Sequence, residues 1–137
     1  MTQTLSGEEE TVLAGSAFAA GLGSGSVVAL TGDLGAGKTC FSRGIAKGLG
    51  YTGEVSSPTF SLVHEYPGER LSIFHFDFYR LESVEELLDI GWEEYLSQDG
   101  VVIAEWADKF REALPDDAIW VLLSHSSGGP GTRVLTR

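Results

Sequence analysis

A chain of 137 residues, 42% of them hydrophobic, is long enough for one core and too short for two ordinary domains, so a single α/β domain over residues 1–137 is expected. Its 20 acidic and 9 basic residues give a net charge of −11, the wrong sign for gripping a phosphate backbone, which argues against strong direct binding to nucleic acid. The single cysteine, Cys40, excludes an internal disulfide framework and a multi-cysteine metal site, and no run approaches the ~18 apolar residues of a membrane span or the pattern of a secretory leader, so a cytoplasmic protein is expected.

Ser6-Gly7-Glu8-Glu9 has the pattern of a capping box, and Val12, Leu13, Ala17 and Ala20 then predict a helix running to about Gly21. The acidic run Glu8-Glu9-Glu10 suits a solvated first turn that complements the helix dipole. Gly23-Ser24-Gly25-Ser26 breaks the helix, and Val27-Val28-Ala29-Leu30 reads as a short buried parallel strand. Directly after it, Gly32-Asp33-Leu34-Gly35-Ala36-Gly37-Lys38-Thr39 fits G-x-x-x-x-G-K-[ST]. Phe41, Ile45 and Leu49 recur at i, i+4 and i+8, so the motif has its strand before it and its helix after it. Glycines at 32, 35 and 37 permit the backbone angles of a nest whose amides, with the helix N-terminus, point at one anion. Lys38 adds a point charge for β- and γ-phosphates, and Thr39 a hydroxyl for a bridging magnesium ion. Asp33, Leu34, Gly35, Ala36, Gly37, Lys38, Thr39 and Cys40 are therefore the expected nucleotide contacts, Cys40 as a small apolar residue of the first turn with no redox role.

Gly48, Gly50 and Gly53 end the helix, and Ser56-Ser57-Pro58-Thr59-Phe60 follows as an exposed extended segment, because Pro58 biases Ser57 away from helix. Its position suits a switch-like loop sensing the γ-phosphate, with a plain loop as the rival. Leu62 to Tyr66 and Leu71 to Asp77, flanking Pro67-Gly68, form a hairpin signal. Asp77 ends the second strand, where a magnesium-contacting carboxylate belongs in an open α/β sheet; capping of the next turn is the alternative. His64 and His75 have no second histidine or cysteine at ligand spacing and are read as structural. Ser83-Val84-Glu85-Glu86 is another capping box, opening a helix through Leu88, and Trp92 to Leu96 makes a further helical turn after Gly91. Val101-Val102-Ile103-Ala104 is the next buried strand, and it too delivers an acid, Glu105, with Trp106 read as packing. A short helix from Phe110 to Leu114 stops at Pro115. Ala118 to Leu123 is a strand, Ser126 to Gly131 a Gly/Ser connection, and Arg133 to Thr136 a last strand that pairs back as an antiparallel edge.

A phosphate-cradling loop, a magnesium hydroxyl and two strand-end acids constitute a nucleotide-hydrolysing site, in which catalysis is mostly positioning and charge stabilisation. Lys38 is assigned to the phosphates, Thr39 to the metal, Asp77 to the metal directly or through water, and Glu105 to the metal shell or the attacking water. The chain contains no asparagine, so the Asn-Lys-x-Asp guanine motif is absent, and Asp77-Phe78-Tyr79-Arg80 lacks the glycine of Asp-x-x-Gly; ATP is the expected nucleotide. A small-molecule kinase would share the loop and acids but needs an Arg-rich lid, and residues 81–100 contain no arginine or lysine. A nucleotide-gated binding module with incidental hydrolysis is the other rival.

Gly32 to Thr39, Ser57-Pro58-Thr59-Phe60, His75-Phe76-Asp77-Phe78-Tyr79-Arg80-Leu81 and Glu105-Trp106, in this order and at these separations, resemble the bacterial TsaE (YjeE) family over essentially the whole chain. That resemblance implies a P-loop NTPase fold with a mostly parallel sheet, flanked by helices and bearing an antiparallel edge hairpin. It implies ATP and Mg2+ as cofactors, and work with TsaB and TsaD, the latter transferring a threonylcarbamoyl group to the adenosine beside the tRNA anticodon. The ATPase then touches tRNA only through that complex. By the same resemblance Lys38, Thr39, Asp77 and Glu105 take the roles above and Thr59 lies on the switch-like loop. Glu8, Thr11 and, in the C-terminal connection, Arg133 approach the adenine side.

Overall fold

The computed structural model describes residues 2–32, 37–56, 62–125 and 132–136, with only the backbone of Thr132 and Arg133. Its elements are β1 (Thr2–Ser6), α1 (Glu8–Ala19), β2 (Val27–Gly32), α2 (Lys38–Gly48), β3 (Val63–Tyr66), β4 (Ile73–Asp77), α3 (Val84–Asp89), α4 (Trp92–Leu96), β5 (Val101–Glu105), a 3-10 segment (Ala107–Ala113), β6 (Ile119–His125) and β7 (Thr132–Thr136). The seven strands form one sheet in the order β1-β7-β6-β2-β5-β4-β3. β6, β2, β5 and β4 are parallel, while β3 and β7 pair antiparallel to the ends of that set.

The inner strands β2 and β5 are buried on both faces, which is why Val27 to Leu30 and Val101 to Ala104 are continuous apolar runs. Val28 and Leu30 pack with Phe41, Ile45 and Leu49 beneath α1 and α2. Val27 and Ala29 face the opposite side, among Phe76, Phe78, Trp92 and Phe110. On that side the Trp92 ring meets Phe76 edge-on at 4.9 Å, and its indole N–H donates to the Ala113 carbonyl at 3.0 Å. α1 and α2 cross at glycines: a Cβ on Gly44 would lie 2.0 Å from the Val12 carbonyl oxygen, and one on Gly15 2.3 Å from that of Phe41.

Three local expectations are corrected. The capping box at Ser6 does not form. Gly7 is the N-cap of α1 at φ 94°, Ser6 ends a strand, and its amide donates at 3.1 Å to the carboxylate of Glu10 rather than Glu9. β1 carries only one buried side chain, Leu5, so it leaves almost no periodic signal. β7, expected as the edge, is covered by β1, with Leu5 paired to Arg133. The expected helix from Phe110 is instead the 3-10 segment from Ala107, broken by a non-helical Phe110. By contrast Ser83 caps α3, its hydroxyl accepting from the Glu86 amide at 3.3 Å.

Candidate active site

The site lies at the carboxyl edge of the parallel strands. β2 ends there in Gly32, at φ 136°, where a Cβ would lie 1.8 Å from the Leu123 carbonyl oxygen of β6, so only glycine fits. Asp33, Leu34, Gly35 and Ala36 lie outside the described residues. Gly37, at φ 98° and ψ 18°, caps α2 in the left-handed region, and Lys38 and Thr39 are the helix's first two residues.

β4 and β5 run in register from Ile73↔Val101 to Asp77↔Glu105, so both acids arrive at the same height on neighbouring strand tips. Side chains alternate along a strand, and Ile73, Val101 and Ile103 pack in the core under α2. Asp77 and Glu105, an even number of residues away, share that face. Both are nearly buried, at 5% and 3% exposure. The Thr39 hydroxyl reaches the two Glu105 carboxylate oxygens at 3.3 and 3.4 Å. One oxygen of Asp77 accepts from the Tyr79 amide at 2.9 Å, so Asp77 also caps the turn that follows β4. A hydroxyl and two carboxylates are hard oxygen donors, and one or two carboxylates completed by phosphate oxygens is the set Mg2+ ordinarily takes. The residues present therefore fit that ion.

Lys38 is buried, and its ammonium donates to the Gly32 carbonyl at 3.0 Å while lying 4.0 Å from the centroid of the Trp106 ring. Trp106 sits at φ 59° and ψ 36°, a left-handed conformation rare for a large side chain, which turns the chain sharply out of β5. Its ring meets that of Tyr79 at 5.0 Å, tilted by 43°. Reading Trp106 as packing alone missed this contact; the signal for it was its place directly after a strand-end acid.

His75, expected to be structural, comes next to these acids. It is fully buried on the face shared with Asp77 and Glu105, and its Nε2 meets the Glu105 carboxylate. Its Nδ1 lies 3.1 Å from the Tyr66 hydroxyl, which donates to the Ser56 carbonyl at 3.0 Å and lies 3.3 Å from His64 Nδ1. Burial raises the Tyr66 phenol to about 12, against a smaller lowering by the Ser56 hydrogen bond. Strand alternation could have found His75, since it stands two residues before Asp77.

The remaining expected residues divide. β1 runs in the same sense as the parallel strands, so the start of α1 reaches the same edge, where Ser6 pairs with Thr132 and His125 with Arg133. Glu8 is exposed there. Thr11 is buried, its hydroxyl donating to the Gly7 carbonyl at 2.9 Å. Cys40 is partly buried in the first turn of α2. The Arg133 side chain and Thr59 lie outside the described residues.

A family model described as "Threonylcarbamoyl adenosine biosynthesis protein TsaE" matches residues 5–134. The chain belongs to the TsaE family. The tRNA threonylcarbamoyladenosine biosynthesis protein TsaE of Treponema pallidum is 46% identical over 99 residues, covering 72% of this chain and 73% of that one. The TsaE protein of Bacillus subtilis is 43% identical over 102 residues, 74% of this chain and 63% of its own length. In three dimensions the crystal structure of YdiB from Bacillus subtilis superposes with a TM-score of 0.82 at 33% identity, covering 98% of this chain and 82% of that one. The mixed sheet with its parallel centre and strand-loop-helix unit is thus the P-loop NTPase fold of TsaE.

Proposed function

We propose that this TsaE chain is a magnesium-dependent ATPase that supports threonylcarbamoyl transfer to the adenosine beside the tRNA anticodon, acting on a complex of TsaB- and TsaD-type proteins. Family membership supports the pathway. One observation supports the chemistry: the Thr39 hydroxyl, where the α2 amides open toward an anion, lies against the Glu105 carboxylate of the neighbouring strand tip. Lys38 moves its charge from the Gly32 carbonyl and the Trp106 face to the β- and γ-phosphates. Loop residues Asp33 to Gly37 offer amides to the same oxygens, and Cys40 lies beside them in the first turn. Magnesium, when bound, neutralises charge on the transferring phosphoryl group. Thr39, Asp77 and Glu105 are the residues that would hold it, and Glu105 also orients the attacking water. Thr59 belongs to the segment that responds to the γ-phosphate, and Glu8, Thr11 and Arg133 to the adenine side. The protein is cytoplasmic in this reading, meets tRNA only through its partners, and turns over slowly without them.

The test is reconstitution of tRNA threonylcarbamoylation with and without this chain, with ATP consumption followed in parallel. Modification in repeated turnovers is expected to need the chain. Glu105→Ala is expected to retain nucleotide binding and partner docking while losing hydrolysis. Full modification without the chain, or phosphate transfer from ATP to a small metabolite faster than to water, overturns the proposal.

A further inference from the structure

A histidine in the middle of a fully buried strand needs a physical reason, because a valine or leucine there would fill the space without desolvating two ring nitrogens. His75 is 0% exposed in β4, its Nε2 against Glu105 and its Nδ1 3.1 Å from the Tyr66 oxygen, whose single hydrogen goes to the Ser56 carbonyl. A carboxylate can only accept, so Nε2 carries the hydrogen toward Glu105. The Tyr66 ring is in turn held between Tyr51, at 4.9 Å, and His75, at 5.8 Å, with its hydroxyl tied to the Ser56 backbone. The two Glu105 oxygens are therefore not equivalent: His75 engages Oε2, while Thr39 is spread across both at 3.3 and 3.4 Å.

We propose that His75 is the positioning residue for Glu105, fixing the rotation of its carboxylate by holding Oε2 so that Oε1 stays on the Thr39 side, and that Tyr66 holds the imidazole in the orientation this requires. The inference rests on the catalytic reading of Glu105 given above and deepens it. In this arrangement His75 acts through the acid, as ligand-orienting groups behind a metal or water site do.

Steady-state ATP hydrolysis by the full chain with magnesium tests it. His75→Ala is expected to lower kcat about 10-fold or more, the range of losses for such orienting groups, with KM for ATP within about twofold. His75→Gln, whose amide N–H reaches the Nε2 position, is expected to recover most of that loss. Tyr66→Phe, which keeps the ring and deletes the hydroxyl, is expected to fall between the two. A second readout needs no nucleotide: in the 15N spectrum of the imidazole, Glu105→Gln shifts Nε2 and Tyr66→Phe shifts Nδ1. An unchanged kcat in His75→Ala, an Nε2 resonance indifferent to Glu105→Gln, or equal losses of kcat and thermal stability in the Ala and Gln variants each overturn the assignment. Glu105→Ala run in parallel separates the two readings. If it turns over normally, the catalytic role of Glu105 fails; if it is inactive while His75→Ala is not, only the role of His75 fails.

Discussion

The Lys38 ammonium donates to the Gly32 carbonyl and lies over the Trp106 ring, contacts that a triphosphate outcompetes. A charge-assisted contact with a phosphate contributes about 1.5–3 kcal/mol. Lys38→Ala is therefore expected to weaken ATP binding roughly 10- to 100-fold, read by calorimetric titration. Tyr66 yields a prediction about pH. Its phenol is raised from 10.0 to about 12, chiefly by burial, so the fold favours the un-ionised hydroxyl. That stabilisation is complete below the unfolded value of 10.0 and is lost as the pH rises through about 12. Urea midpoints should fall over this alkaline window in the wild type, and fall less in Tyr66→Phe. At this scale the sequence identified Lys38, Thr39, Asp77 and Glu105 as candidates, because a motif and two strand ends mark them. The contacts of His75 with Glu105 and of Trp106 with Lys38 were not legible, because those partners lie 30 and 68 residues away in the chain.

α2 can serve the phosphate loop only if it lies close over the sheet, and the glycine crossing with α1 makes that approach possible. Gly44→Ala puts a methyl 2.0 Å from the Val12 carbonyl, a backbone atom that cannot rotate aside. Overpacking of this kind costs about 1–3 kcal/mol, so a lower midpoint in urea unfolding is expected, with weakened nucleotide binding if α2 is displaced. α2 was legible because Phe41, Ile45 and Leu49 mark one face. Its crossing partner was not, since neither Gly15 nor Gly44 belongs to an apolar repeat, and contact between them is decided by how two helices meet. The two Ser-x-x-Glu stretches illustrate the same limit: Ser83 caps its helix, while Ser6 is drawn into β1 by pairing with Thr132.

Over the whole molecule, a net charge of −11 opposes the counterion release by which basic proteins hold nucleic acid. No measurable binding of tRNA by the chain alone is expected at physiological salt, and a filter-binding or anisotropy titration checks this; tight, salt-sensitive binding would contradict the assignment of tRNA to the partners. Nucleotide should also stabilise the entire fold, because the site draws on β2, α2, β4 and β5 together. At 100 times its Kd a ligand adds about 2.7 kcal/mol, so magnesium with ADP is expected to raise the Tm of the wild type and not that of Lys38→Ala.

The apolar strands, the helix that follows β2, the hairpin and the two strand-end acids were written in the sequence, because turn residues and periodic burial are local properties of a chain. Strand order, the covering of β7 by β1, the alignment of Asp77 with Glu105 and the line from Ser56 through Tyr66 and His75 to Glu105 were decided only by tertiary structure. Those features depend on hydrogen bonds and register between segments far apart in the chain, and no window along the sequence carries a record of which distant backbone a strand will meet.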